Sequence, residues 1–208
     1  MSAVAMHGEY DVTNVPLIAR RSILLGLIES VIIAIGAVLS RLVGGALEFV
    51  VLGLVVVVGL AIVTMMPGIW TRARTIEGIA GAAGIGLGAA GVFLLVDVAL
   101  LQPLGLWTNR WHAIGGNTNW WYHPVWWMVG TFLPWMGAFI LASQEARRGR
   151  TAPAAGFGLA LAAAVVVGVI AVLAGFPGAG WNLGTFAVAF LPGVAIAALV
   201  GWMTARRA

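Results

Sequence analysis

Long uninterrupted runs of apolar residues alternate with short polar segments along almost the whole chain. A helix needs about 20 apolar residues to cross a hydrocarbon core of about 30 Å. Within lipid a helix satisfies its own backbone hydrogen bonds, whereas barrel strands would show alternating polar positions, which VVLGLVVVVGLAIV lacks. The pattern therefore predicts an all-α, polytopic bundle of six transmembrane helices: Ser22–Ser40, Leu47–Trp70, Ile79–Leu101, Val125–Ser143, Ala155–Phe176 and Leu183–Thr204.

The basic residues lie at the ends of these runs, and all of them are arginines. Cytoplasmic loops retain positive charge, so the arginine distribution predicts the orientation of the helices. Threading six helices in order leaves only Arg41 and Arg110 on one side, and we therefore place both termini in the cytoplasm and the protein in the inner (plasma) membrane. The other nine arginines fall on the cytoplasmic side: Arg20, Arg21, Arg72, Arg74, Arg147, Arg148, Arg150, Arg206 and Arg207.

Composition agrees with a membrane protein, because 62% of the residues are hydrophobic and only 9% are charged. The absence of cysteine excludes disulfides, thiolate metal sites and cysteine nucleophiles. The net charge of +4 forms no single basic face, so the lipid bilayer and not nucleic acid is the expected partner. We divide the chain into a cytoplasmic tail, residues 1–19, and a single six-helix transmembrane domain, residues 20–208.

A tryptophan-rich segment separates the third and fourth predicted helices and is the longest extracytoplasmic loop. Six of the ten tryptophans lie between Trp107 and Trp127. Tryptophan prefers the membrane interface, so part of the segment is an aromatic belt. The turn Gly115-Gly116 is typical of a loop that folds back into the outer leaflet as a lid. Its candidate ligand-binding residues are Arg110, Trp111, Asn119, Trp120 and Trp121.

Two histidines of the same segment, His112 and His123, are eleven residues apart. Neutral imidazoles bind zinc or copper, and Met128 or Asp97 would complete such a site. The alternative is ordinary hydrogen bonding at the interface, since no metal motif has this spacing. No residue pattern in the sequence indicates a particular cofactor.

Two acidic residues fall within predicted helices. Glu29 follows Arg21 by eight residues, which places it about 12 Å into the membrane. Asp97 lies toward the outer end of the third helix, where Arg110 is its candidate partner. Ionisable groups inside a membrane are costly and often functional, so we expect proton coupling, cation binding or ligand recognition. The structural alternative is a hydrogen bond between helices.

Glycine and proline add two packing predictions. The letters Gly86 to Gly91 match the GxGxxG dinucleotide fingerprint, but that motif works only at a strand-to-helix turn. The small residues Ala80, Gly84 and Gly88 instead predict a face for close approach of a helix of this chain, a second copy or another subunit. Pro134 and Pro192 each remove a backbone hydrogen bond and are expected to kink their helices.

Three functions fit these residues. The first is a non-catalytic integral subunit of a larger membrane complex, respiratory or otherwise energy-transducing, whose partners are other membrane subunits or a second copy. The second is a small-solute transporter or substrate-binding membrane component that uses Asp97 and Glu29. The third is a membrane enzyme or metal protein at the outer loop. We rank them in this order from the sequence.

Overall fold

The chain is described by a computed structural model that covers residues 14–106 and 122–206, with only the backbone of residues 122 and 123. Every regular element in these ranges is helical, and six helices are long and apolar enough to cross a membrane. The predicted six-helix, all-α fold is confirmed at this level. The helices are α1 Val15–Leu42, α2 Gly45–Trp70, α3 Ile76–Val96 with a π-helical turn Asp97–Leu101, α4 Tyr122–Arg148, α5 Pro153–Leu173 and α6 Leu183–Ala205.

The helix ends follow local chemistry more closely than hydropathy. α1 begins at Val15, before the predicted Ser22, because the Asn14 side chain caps it by accepting from the Leu17 N–H at 2.8 Å. Arginine is a good helix former, so the pair Arg20 and Arg21 does not end the helix. α5 stops at Leu173, short of the predicted Phe176, where Gly175 adopts a φ of +66° typical of a C-terminal cap.

α3 is the central helix of the bundle. α1 packs parallel to it on one side, α4 packs antiparallel on the other, and α2 covers the groove between them. α6 packs on α4, and α5 packs on α6. Successive helices run in opposite directions, which gathers eight described arginines at one end of the bundle, here called the arginine end: Arg20, Arg21, Arg72, Arg74, Arg147, Arg148, Arg150 and Arg206.

Glycines set the closest approaches between helices. A Cβ on Gly26 of α1 would lie 2.6 Å from the Ala89 carbonyl oxygen of α3. A Cβ on Gly193 of α6 would lie 2.6 Å from the Ala164 nitrogen of α5. Small residues allow such contacts because van der Waals packing and not water exclusion holds helices together in lipid.

The predicted face Ala80, Gly84 and Gly88 turns partly toward α1. A Cβ on Gly88 would lie 2.7 Å from the Ser22 Cβ, and one on Gly84 would lie 3.9 Å from the Ile18 side chain. Ala80 is exposed. The first two positions therefore have a neighbour within the same chain.

The prolines lie within continuous helices. Pro134 is buried in α4 against Gly86 of α3, whereas Pro192 lies exposed on α6. A third proline, Pro67, is buried inside α2. Each one leaves the carbonyl four residues earlier without its helical donor.

Candidate functional site

Glu29 lies at the middle of α1, which is 28 residues long. At 1.5 Å per residue it is about 20 Å from either end of the helix. Arg21 precedes it by about 12 Å and Arg41 follows it by about 18 Å along the helix axis. Because arginines prefer the membrane surface, these two residues bracket the hydrocarbon core and place Glu29 close to its centre.

The Glu29 side chain is buried inside the bundle, with only 7% of its surface exposed. It lies one turn beyond Leu25, which is fully buried with Ile85 and Ala89 of α3. Within residues 14–106 and 122–206, no hydrogen bond or ion pair reaches the Glu29 carboxyl group. The next hydroxyl, Ser30 Oγ, donates to the Gly26 carbonyl of its own helix at 2.8 Å.

Asp97 is the ionisable side chain of the neighbouring helices that comes closest to the level of Glu29, about one turn beyond it in the α1–α3 register. The sequence has none in α2 between Glu48 and the end of that helix, and none in α3 between Glu77 and Asp97. The helices α5 and α6, as bounded above, contain none. Placing a charged side chain at the centre of a membrane helix costs about 2.5–3.5 kcal/mol on insertion scales. An unpaired carboxylate at this depth is therefore disfavoured.

Asp97 lies at the other end of α3, where the helix widens into the π-helical turn. The residue is fully buried, and Gln102 Nε2 donates to its Oδ2 at 2.6 Å. The Gln102 backbone N–H donates to the Asp97 carbonyl at 2.9 Å, five residues back. Pro103 has no N–H and cannot continue a regular helix, which favours the wider turn. Single π turns of this kind are frequent at functional sites.

Aromatic and aliphatic side chains surround the base of this turn. The Phe93 ring, one turn before Asp97, lies 4.6 Å from the Trp126 ring of α4 between centroids. The antiparallel register of α3 and α4 then brings Asp97 level with the first turn of α4. On the other side, the Arg41 guanidinium of α1 donates to the carbonyls of Gly105 and Leu106. Asp97 is thus enclosed at the end of the bundle opposite the arginine end.

Several predicted site residues fall outside the described residues: Arg110, Trp111, His112, Asn119, Trp120, Trp121 and the side chain of His123. The Asp97–Arg110 pair and the histidine metal site therefore stay predictions. Met128, the third candidate ligand, is 71% exposed on α4. The structure brings Asp97 together with Gln102, a residue the sequence reasoning did not single out. The sequence feature that could have indicated this contact is a polar residue, Gln102, five positions after Asp97 and directly before Pro103.

The arginine end is held by polar contacts between helices. Arg74 Nη2 lies 3.1 Å from Glu145 Oε1, and Arg147 Nη1 donates to Thr204 Oγ1 at 3.1 Å. The Arg21 guanidinium lies 5.0 Å from the centre of the Trp70 ring. These contacts join α1 to α2, α4 to α6, and the turn after α2 to α4, so their role is structural.

The six apolar helices and their glycine-mediated packing define a class, that of multi-pass α-helical membrane proteins. No protein-family model, curated protein or solved structure matches the chain significantly.

Proposed function

We propose that the protein is a small-solute transporter or a substrate-binding membrane component that uses Asp97 and Glu29. The observation that carries the proposal is the burial of two carboxyl groups inside one bundle, on the mutually packed helices α1 and α3. Acids within membrane helices are expensive to retain, and they commonly mark solute or ion pathways.

Asp97 is the proposed solute-binding carboxyl group. Its enclosed position lowers the local dielectric, which strengthens its attraction for a cationic or hydrogen-bond-donating group of a solute. Gln102 orients the carboxylate through its 2.6 Å hydrogen bond. The arginine distribution predicts cytoplasmic termini, and that orientation would put Asp97 in the outer half of the membrane. The backbone bonds missing at Pro134 and Pro192 would allow α4 and α6 to bend during transport.

A complex subunit, ranked first on the sequence, is the second candidate. Part of its support was the small-residue face of α3, but Gly88 lies against Ser22 of the same chain. It is still supported by the tryptophan-rich segment as a docking surface for other membrane subunits or a second copy, and by the lack of a convincing catalytic set in the sequence. The third candidate, an enzyme or metal protein, depends on His112 and His123, outside the described residues.

Native mass spectrometry of protein extracted gently from its own membrane tests the proposal. The wild type is compared with Asp97→Asn, which preserves the shape of the side chain and its acceptor for Gln102. The matched control is Glu77→Gln, because Glu77 is an exposed acid at the arginine end, where it accepts from Thr75 Oγ1 at 2.6 Å.

We expect a small-molecule adduct on the wild type and on Glu77→Gln, with at least a tenfold lower occupancy on Asp97→Asn, the change that about 1.4 kcal/mol of lost affinity produces. Stoichiometric co-purification of other polypeptides, with no small-molecule adduct, would contradict the transporter proposal and support the complex subunit. Equal adduct occupancy in all three proteins would show that Asp97 is not part of the binding site.

A further inference from the structure

Glu29 is a buried acid at the middle of α1 whose carboxyl group makes no hydrogen bond within the described residues. We propose that Glu29 is a proton-binding site at the centre of the membrane, which takes up and releases one proton in the protein's working cycle. The proton-binding site itself does not depend on the proposed function. Only the coupling of the proton to solute movement rests on it.

A carboxyl group with a purely structural role should bond a neighbouring helix. Ser22, two turns earlier on the same face of α1, does this: its Oγ donates to the Ile85 carbonyl of α3 at 3.1 Å. Glu29 has the same orientation toward α3 but makes no such bond within the described residues. Its burial is therefore not explained by an interhelical hydrogen bond.

The basic side chains of α1 are engaged elsewhere. On α1, Arg21 lies over Trp70 and Arg41 donates to the Gly105 and Leu106 carbonyls. On α2 and α3, the two helices packed against α1, the ionisable side chains are Glu48, Glu77 and Asp97. Glu48 and Glu77 lie near helix ends, several turns from the level of Glu29. Asp97 lies about one turn beyond that level, and as an acid it supplies no positive charge to Glu29. Among residues 14–106 and 122–206, no basic side chain is positioned to hold Glu29 permanently ionised.

A proton fits this site better than a metal cation. Hard cations take six or more oxygen ligands, or retain several waters. The α1–α2 register, fixed by Gly59 against Ile32 at 3.4 Å, places the apolar Ile62 opposite Glu29. On α3, Ala89 and Val92 adjoin Gly26, three residues before Glu29, and the α3 residues that follow up to Val96 are all apolar. One carboxyl group among aliphatic side chains can bind a proton but cannot complete a cation's coordination shell.

The exchange step involves only the carboxyl group and water. The neutral acid loses its proton to water that enters between α1 and α3, leaving a carboxylate, and the reverse step restores the acid. The seam between these helices is lined by small residues, including Gly26, Gly88 and Ala89, so a slight separation admits water. The unpaired carboxylate is unstable in the closed bundle, which couples the charge of Glu29 to the packing of α1 on α3.

Infrared spectroscopy of the full protein in lipid bilayers, equilibrated at a series of pH values, tests this inference. The wild type should show the C=O stretching band of a protonated carboxylic acid in apolar surroundings at neutral pH. That band should lose the intensity of one carboxyl group in Glu29→Gln and keep it in Glu77→Gln. Glu29→Asp should retain a shifted band, which separates loss of the proton site from misfolding.

As the pH is raised the band should decline while carboxylate absorption grows by the same amount. A wild type with no Glu29 band at neutral pH, or with one that does not change with pH, would overturn the inference. A band that responds to sodium in place of potassium at fixed pH would also overturn it, in favour of a cation site. The measurement needs no solute, so a titrating band without a bound molecule in mass spectrometry would refute only the proposed function.

Discussion

The contact between α5 and α6 at Gly193 allows a quantitative prediction. A Cβ at this position would lie 2.6 Å from the Ala164 nitrogen, 2.8 Å from the Ala164 Cα and 2.9 Å from the Ala160 carbonyl oxygen. These are backbone atoms, so no side-chain rotation relieves the contact. Cβ contacts become ordinary at 3.4 Å, and Gly193→Ala therefore requires the two helices to separate locally by about 0.8 Å.

Overpacking of this kind costs about 1–3 kcal/mol, from which a helix-propensity gain of about 0.5–1 kcal/mol is subtracted. We expect Gly193→Ala to lower the free energy of unfolding by about 0.5–2 kcal/mol. For a chain of this length that corresponds to a fall in Tm of about 1–8 °C. Tryptophan fluorescence during heating in detergent micelles measures the change.

The matched control is Gly158→Ala in α5. No atom lies within 4 Å of a Cβ built there, and the position is exposed. Its Tm should stay at the wild-type value or rise, because alanine gains up to about 1 kcal/mol over glycine inside a helix. If Gly193→Ala and Gly158→Ala unfolded at the same temperature, the close approach of α5 and α6 inferred from the structure would be wrong.

Two further predictions use the same unfolding assay. Ser22→Ala removes the hydroxyl that donates to the Ile85 carbonyl at 3.1 Å and should lower the free energy of unfolding by about 0.6 kcal/mol. The control Ser40→Ala loses only a hydrogen bond within α1 and should lower it by less. Equal effects of the two variants would contradict an interhelical role for Ser22. Asn182→Ala removes the cap that accepts from the Thr185 N–H at 2.9 Å and should cost about 0.5–2 kcal/mol. Hydrogen exchange at Thr185 should become faster, and an unchanged rate would show that the cap does not hold this end of α6.

Hydropathy was sufficient to predict the number and class of the helices, because each apolar run is bounded by polar residues and only a helix is stable in lipid. It was less accurate at the ends, where the decisive signals were short-range. Asn14 extended α1 beyond the apolar run, and Gly175 ended α5 inside one. Both signals are readable from the sequence, since asparagine caps N-termini and glycine accepts positive φ.

The packing of α3 was harder to predict. Its small residues occur on every side, so the sequence could not distinguish the face toward α1 from the face toward α4. The ladder that was singled out includes Gly88, which meets Ser22, but Gly86 makes the contact with Gly130 and Pro134 of α4. The partners of a glycine depend on tertiary arrangement, and nothing local encodes them.

The candidate site was predicted in part. The depth of Glu29 followed directly from its distance to Arg21, because helical rise is constant. Its lack of a hydrogen-bond partner depends on which residues of α2 and α3 face it, and this needed the structure. The π-helical turn at Asp97 was not predicted, because the signals that accompany it, Gln102 and Pro103, are equally compatible with an ordinary helix end.

The parallel pairing of α1 with α3 has a consequence for biogenesis. α1 packs more extensively against α3 than against α2, its neighbour in sequence. During synthesis α1 and α2 leave the ribosome first, when the surface that encloses Gly26 and Glu29 does not yet exist. The first hairpin is therefore an incomplete intermediate with an acid facing lipid or the insertion machinery. When α3 is inserted it packs against α1 and buries that acid, so α1 reaches its final environment only after the third helix has been made.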